Sequence, residues 1–350
     1  MYKPFQKNIS KTQFVKGHQC EKALWLLRHK PSLKTPPDDA TLAKFKAGHA
    51  VGKLAQTLFP GGTSIPFSGN FKDKFSKTTT LLRNGTNTLY EAAFEVQGLM
   101  ALADILHKGP DGWELYEVKS ATSQKQFYLE DIAYQFNILK KVGIDIVKSV
   151  LIYINNQYLL EKTLNVDAFF IQHDLTDQTI ALQPEIEKKI DQYKTLLSCS
   201  DCPSIPIGTY CTKPYDCEFI EHCWQGVPEK SIFNISGMKP KEKFDLYHQG
   251  IIHPQDLPPE YVLTDSQSTQ IKADISQSDH VDISELKKFL STLYYPLCFL
   301  DFETVQHAIP QYVHTRPYQQ VPFQYSLHVM NSPFDVLSHF YFLADHSKDP

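Results

Sequence analysis

The stretch TLYEAAFEVQGLMALADILHKGPDGWELYEVKS, Thr88 to Ser120, decides the architecture of the first part of the chain. It holds three apolar, partly alternating runs: Thr88 to Val96, Leu99 to His107 and Trp113 to Ser120. Gly98 separates the first two and the turn sequence Gly109, Pro110, Asp111, Gly112 the last two, so the spacing predicts an antiparallel three-strand meander. Working outward, a helix over about Leu129 to Val142 ends at Gly143, and the β-branched run Ile146 to Ile154 predicts another strand. Upstream, Cys20 to His29 and about Ala40 to Leu58 predict helices, the second stopped by Pro60, Gly61 and Gly62. The order αβββαβ is that of a mixed α/β sandwich.

Further along, a helix over about Gln178 to Leu197 leads into a cysteine-rich stretch, and Pro228 to Tyr261 reads as a proline-rich connector with a small helix. A helix over Asp282 to Leu293 precedes three strands at Pro296–Phe302, Val321–Val329 and Leu337–Leu343. The expected organisation is therefore a first domain over residues 1–225, with its cysteine cluster at 199–223, a connector over 226–290 and a second domain starting at 291.

With 350 residues, 42% hydrophobic and 21% charged, the composition is that of a globular protein and excludes a disordered or fibrous one. The net charge of −4 excludes a generally basic nucleic-acid coat, but residues 1–34 carry eight lysines and arginines against Glu21 alone, leaving an acidic remainder. Such a segment suits either a phosphate-contacting face or a solvated helix. No apolar run of about 18 residues and no secretory leader is present, so a soluble, cytoplasmic protein without a membrane partner is expected. Seven cysteines, an odd number, argue against a disulfide scaffold and for thiols or metal ligands.

The chemistry is most legible in the meander. Glu117 and Lys119 are two apart on the third strand and so share a face, where they can meet Asp104 of the second strand. Two carboxylates and a lysine suit a hard divalent cation such as Mg2+ or Mn2+, with the ammonium positioning water or neutralising a phosphate. The bland alternative is a cross-strand surface ion pair worth about 0.2–1 kcal/mol.

At these residues the sequence resembles the PD-(D/E)XK nucleases of the RecB type, through "YEVKSATS" and "YLEDIAYQ". The resemblance implies a restriction-endonuclease-like mixed sheet flanked by helices. It also implies metal ligation by Asp104 and Glu117, a backbone carbonyl from Val118, water assistance by Lys119, a site role for Gln135 and an added ligand in His49 of "KAGHAVG". Glu91 matches a first-strand acid that some relatives place near the metal. One departure is plain: Leu139 stands where the family's helix carries a tyrosine.

Cys211, Cys217 and Cys223 have five residues between each, a spacing that leaves zinc and an iron–sulfur cluster both open. The same resemblance implies a 4Fe-4S cluster held by Cys20 before the nuclease core and by Cys211, Cys217 and Cys223 after it. The zinc alternative would use Cys199 and Cys202 with two of Cys211, Cys217 and Cys223, and Cys298 in its apolar strand reads as a buried small hydrophobe.

"YYPLCFLDFETV" places a second acidic pair, Asp301 and Glu303, at the end of an apolar strand, and is similar to the first motif of DnaQ-like exonucleases of RNase H fold, where such acids begin a metal site. The following "PYQQVPFQYSLH" and terminal "DP" resemble bacterial proteins ending in the domain of unknown function 2779. With no helix after the last strand, a partial RNase H-like domain is expected. The whole reading is a metal-dependent DNA nuclease acting on single strands or ends, with basic residues of the first 34 positions and Trp25 holding phosphates and bases. Its alternative is a non-catalytic nucleic-acid or partner-binding module with a structural zinc site.

Overall fold

Strand β1 (Ile9–Ser10) runs directly into helix α1 (Lys11–Gln19) because Ser10 caps it: the Ser10 hydroxyl accepts the Gln13 N–H, and the Gln13 side chain accepts the Ser10 N–H. Helices α2 (Glu21–His29) and α3 (Asp39–Ala55), strand β2 (Thr63–Ser64) and helix α4 (Phe71–Arg83) follow. Then come β3 (Thr88–Val96), β4 (Leu99–Lys108), β5 (Trp113–Lys119), α5 (Gln126–Lys141) and β6 (Ile146–Ile154). The first unit continues with α6 (Val166–Phe169), β7 (Phe170–Asp174), α7 (Thr176–Ala181) and α8 (Gln183–Ser198). This is a computed structural model, and it describes residues 8–66 and 70–345; Lys3 and Lys7 of the basic segment, and the terminal Asp349 and Pro350, lie outside the described residues.

The fold is mixed α/β, as expected. One sheet runs β2-β3-β4-β5-β6-β7, with β3, β4 and β5 forming the antiparallel meander and β6 returning parallel to β5 after the α5 crossover. Strand β1 adds in parallel to the start of β4, pairing Ile9 with Leu99 and Ser10 with Met100. Helix α4 was not anticipated: its Thr- and Lys-rich face hides the apolar period, although Asn70 caps it by accepting from the Asp73 N–H. The single helix expected over 178–197 is two helices, broken at Leu182, where Pro184 falls in the first turn of α8.

Helix α5 is the centre of the first core. Ile132, Ala133, Tyr134, Ile138 and Leu139 are all fully buried, with Ile186, Ile190 and Tyr193 of α8 in the same cluster. Leu139 is thus a core side chain. Gly17 of α1 lies against this core so closely that a Cβ would come within 2.6 Å of the Tyr193 ring and 2.9 Å of Leu24. Gly17→Ala is therefore expected to destabilise the chain by about 1–3 kcal/mol in urea unfolding, through overpacking alone.

The first unit comprises residues 1–205 with two later pieces, Cys217–Phe219 and His307–Gln319. In the second piece Ala308 is buried in a cluster with Tyr90, Ile105, Tyr116 and Ile152. The His314 N–H donates to Leu160 O and the Leu160 N–H to Thr315 O, while the Tyr318 hydroxyl donates to Ser120 O at 2.9 Å.

The second unit has its own core of Ile232, Ile235, Met238, Leu246 and Ile271. It contains α9 (Ile220–Cys223), α10 (Pro240–His248), α11 (Asp265–Ser276), α12 (Ile283–Ser291) and an antiparallel sheet of β8 (Leu297–Gln306), β9 (Gln320–Met330) and β10 (Ser338–Leu343). Register puts Leu300, Leu327 and Phe340 in one row across this sheet and Phe302, Tyr325 and Phe342 in the next, on the same face. Most of these apolar side chains are exposed, and so is Cys298, which corrects the expectation of a buried thiol there. Among the described residues no helix is long and apolar enough to cross a membrane.

Candidate active site

The ladder between β4 and β5 ends at the pair Ile105–Tyr116. The next residues in register, Asp104 and Glu117, therefore stand where the two strands part. Instead of bonding to β4 backbone, the Val118 N–H donates to Asp104 Oδ2 at 2.8 Å, which fixes that carboxylate beside Glu117. On the other side of β4, Glu91 is bracketed by the pairs Tyr90–Ile105 and Ala92–Ala103, so it faces Asp104 in register. Its φ of +57° is a left-handed backbone that a strand residue adopts only at a cost of order 1–3 kcal/mol.

Helix α5 crosses this opening and supplies Asp131 and Gln135, four residues apart on one helical face. Gln135 Nε2 donates to Glu117 Oε2 at 2.7 Å and to Asp131 Oδ1 at 3.2 Å. Lys119 Nζ bridges Glu117 Oε1 at 2.5 Å and Asp131 Oδ2 at 2.6 Å, and lies 5.4 Å from the centre of the Tyr128 ring. The four residues expected to form the centre, Asp104, Glu117, Lys119 and Gln135, are thus brought together.

Two members were not anticipated. Asp131 was legible in principle, since it precedes Gln135 by one helical turn. Lys11 was not: the pairing of β1 with β4 delivers it from the first residue of α1, and its Nζ donates to Glu117 Oε1 at 2.9 Å and Oε2 at 3.1 Å. It also lies 3.9 Å from Asp104 Oδ1 and 4.0 Å from Asp131 Oδ1. Glu117 and Gln135 form a buried floor at 1% and 0% exposure, while the side chains of Asp104, Lys11 and Lys119 retain 22–23% and form the mouth.

The electrostatics sort these groups. Burial pushes Asp104 up to about 7, with the Glu117 charge and that of Glu91 adding to the rise. Burial also raises Asp131 and Glu91. Burial opposes the charge of Glu117 too, yet Lys11, Lys119 and the Gln135 hydrogen bond outweigh it and hold that carboxyl well below the usual range. Desolvation likewise opposes the charge on both ammoniums, but the surrounding acids raise Lys11 and Lys119 above ordinary lysine. Both lysines are therefore donors and fixed positive charges, not bases.

His49 is exposed on α3, on the Glu91 side of the cluster, where its charge works against the rise at Glu91. Among the described residues no three His, Cys, Asp or Glu side chains are gathered in a geometry that would hold an ion by themselves. The donor chemistry nonetheless fits a hard cation: carboxylate oxygens of Asp104 and Glu117 face a common point, and the Lys11 ammonium stands there as a cation among three acids. A magnesium-type ion needs only one or two carboxylates, its other positions being water or substrate oxygen.

The expected base-holding role of Trp25 is corrected. It is 4% exposed, its indole N–H donates to Cys199 O at 3.0 Å, and its ring stacks on His29, so it is a core residue. Lys16 is likewise turned inward, paired with Glu218 at 2.5 Å. Of the four cysteines expected to share a cluster, Cys20 and Cys217 belong to the first unit and Cys211 and Cys223 to the second. Burial pushes the Cys217 thiol up to about 11, with Cys20 contributing to the rise. Cys211 is buried beside Ile207 and Phe244, with Cys223 packed against the same group. Cys199 and Cys202 are exposed. Asp301 and Glu303 are exposed on β8, opposite Ser326 and Gln324 of β9.

A family model described as Domain of unknown function (DUF2779) matches residues 298–350, a region that takes in β9, β10 and all of β8 but its first residue. No curated protein matches the chain.

Proposed function

We propose that the chain is a RecB-type PD-(D/E)XK nuclease that hydrolyses DNA phosphodiester bonds, on single strands or ends, with Mg2+ or Mn2+. The observation that carries this reading is the convergence of Asp104, Glu117, Lys119 and Gln135 at the point where β4 and β5 part. Asp104, Glu117 and the Val118 carbonyl would hold the ion. When bound, the ion supplies Lewis-acid polarisation of the phosphate and a water acidic enough to attack it. Lys119, kept protonated by Asp131 and Glu117, orients that water and offsets charge on the phosphate. Gln135 fixes the Glu117 carboxylate by its hydrogen bond and so aims it at the ion. Cys20, Cys211, Cys217 and Cys223 would bind a 4Fe-4S cluster that clamps sequence-distant segments, and zinc is the alternative occupant.

One observation favours the rival reading of a non-catalytic, zinc-stabilised binding module: Glu117 and Asp131 already have lysine partners within the chain. Anaerobically purified full chain, incubated with end-labelled single-stranded DNA, separates the two. Cleavage with Mn2+ that chelation stops, from a brown protein carrying iron and sulfide, is the expected result. A colourless, zinc-loaded protein that leaves the DNA intact would sink it.

A further inference from the structure

Lys11 enters the cluster from outside the sheet and its crossover helix. Its ammonium makes two hydrogen bonds to Glu117, one to each oxygen, and lies within 4.0 Å of Asp104 and Asp131 as well. These are the oxygens that a divalent ion would use. A carboxylate's lone pairs on one side cannot serve both an ammonium and a metal ion, and the two positive charges repel at such separations.

The location of Lys11 allows an exchange. It is the first residue of α1, its side chain is partly exposed at the mouth, and it is a flexible stem with several rotatable bonds. Rotation about those bonds would carry the ammonium off the Glu117 oxygens and outward to solvent with α1 fixed. Lys119, by contrast, is held by Glu117 and Asp131 together. Gln135 keeps Glu117 oriented in either case.

We infer that Lys11 competes with the divalent ion for Glu117 and Asp104, acting as an internal cation that must swing off these oxygens toward solvent for the ion to load. The inference rests on the nuclease reading, because it takes these acids as the metal site. Its consequence is that ion affinity is set by Lys11 as well as by the acids, and that loading leaves an ammonium at the mouth, where a phosphate arrives.

The test is Mn2+ titration of the full chain by calorimetry, for wild type, Lys11→Met and Glu117→Gln, together with amine acetylation of wild type read by mass spectrometry at Lys11. Lys11→Met should bind Mn2+ at least about tenfold more tightly than wild type, and Lys11 of wild type should acetylate faster when Mn2+ is present. Mn2+ binding that needs Glu117 but is unchanged or weakened in Lys11→Met overturns the competition and leaves the nuclease reading standing. Absence of Mn2+ binding in all three overturns both. If Lys11→Met does not fold, acetylation decides: a Lys11 rate indifferent to Mn2+ overturns the inference.

Discussion

On the proposed nuclease reading, Asp104→Asn is expected to lower Mn2+-dependent DNA cleavage by at least about 10²-fold, through loss of one charged ligand to the ion, while the chain stays as stable as wild type or becomes more so. The asparagine keeps an oxygen for the Val118 N–H, so the 2.8 Å bond that joins the two strands survives. What it removes is a charge that burial, Glu117 and Glu91 all disfavour. Lys11 and Lys119 favour that charge, but burial and Glu117 outweigh them, and a bound cation would offset the remaining opposition. Rates on labelled DNA and urea unfolding of the same preparations check both halves. Full activity in the variant removes Asp104 from the centre, and an unfolded variant removes the argument about its charge.

Tyr134→Ala is expected to cost about 3–5 kcal/mol in urea unfolding, the largest loss of any single truncation considered. Tyr134 is fully buried in α5, its ring stacks on Phe14 of α1 with centroids 4.3 Å apart, and its hydroxyl donates to Ile9 O at 2.6 Å. That one side chain therefore fastens β1 and α1, and with them Lys11, onto the crossover helix that carries Asp131 and Gln135. Tyr134→Phe keeps the ring and loses only the hydrogen bond, at about 1 kcal/mol. Equal losses in the two variants would show that the hydroxyl, not the ring, makes the attachment.

The parts of this fold that could be read from sequence are those set by local period. The meander and Ile146–Ile154 emerge within a residue or so of their expected bounds because alternating apolar residues and glycine turns leave little choice. Asp104, Glu117 and Lys119 were legible for the same reason, each on a strand whose facing the pattern fixes, whereas Gln135 came only from the resemblance to a nuclease family. Lys11 was not, because its place depends on Ile9 and Ser10 pairing with Leu99 and Met100, and nothing local announces a two-residue strand. Trp25 misled because an amphipathic helix rich in basic residues looks the same whether its aromatic faces solvent or core. Asp131 precedes Gln135 by a four-residue step that places both on one face of α5.

The segment His307–Gln319 lies between β8 and β9 in the chain but is built into the first unit, with Ala308 in its interior and Tyr318 bonded to Ser120. Order of synthesis and order of assembly therefore disagree. While the chain emerges from the ribosome, the sheet bearing Glu117 and Lys119 waits for some two hundred further residues before its last piece is translated. Through that interval the cluster of Tyr90, Ile105, Tyr116 and Ile152 lacks the Ala308 side chain that completes it.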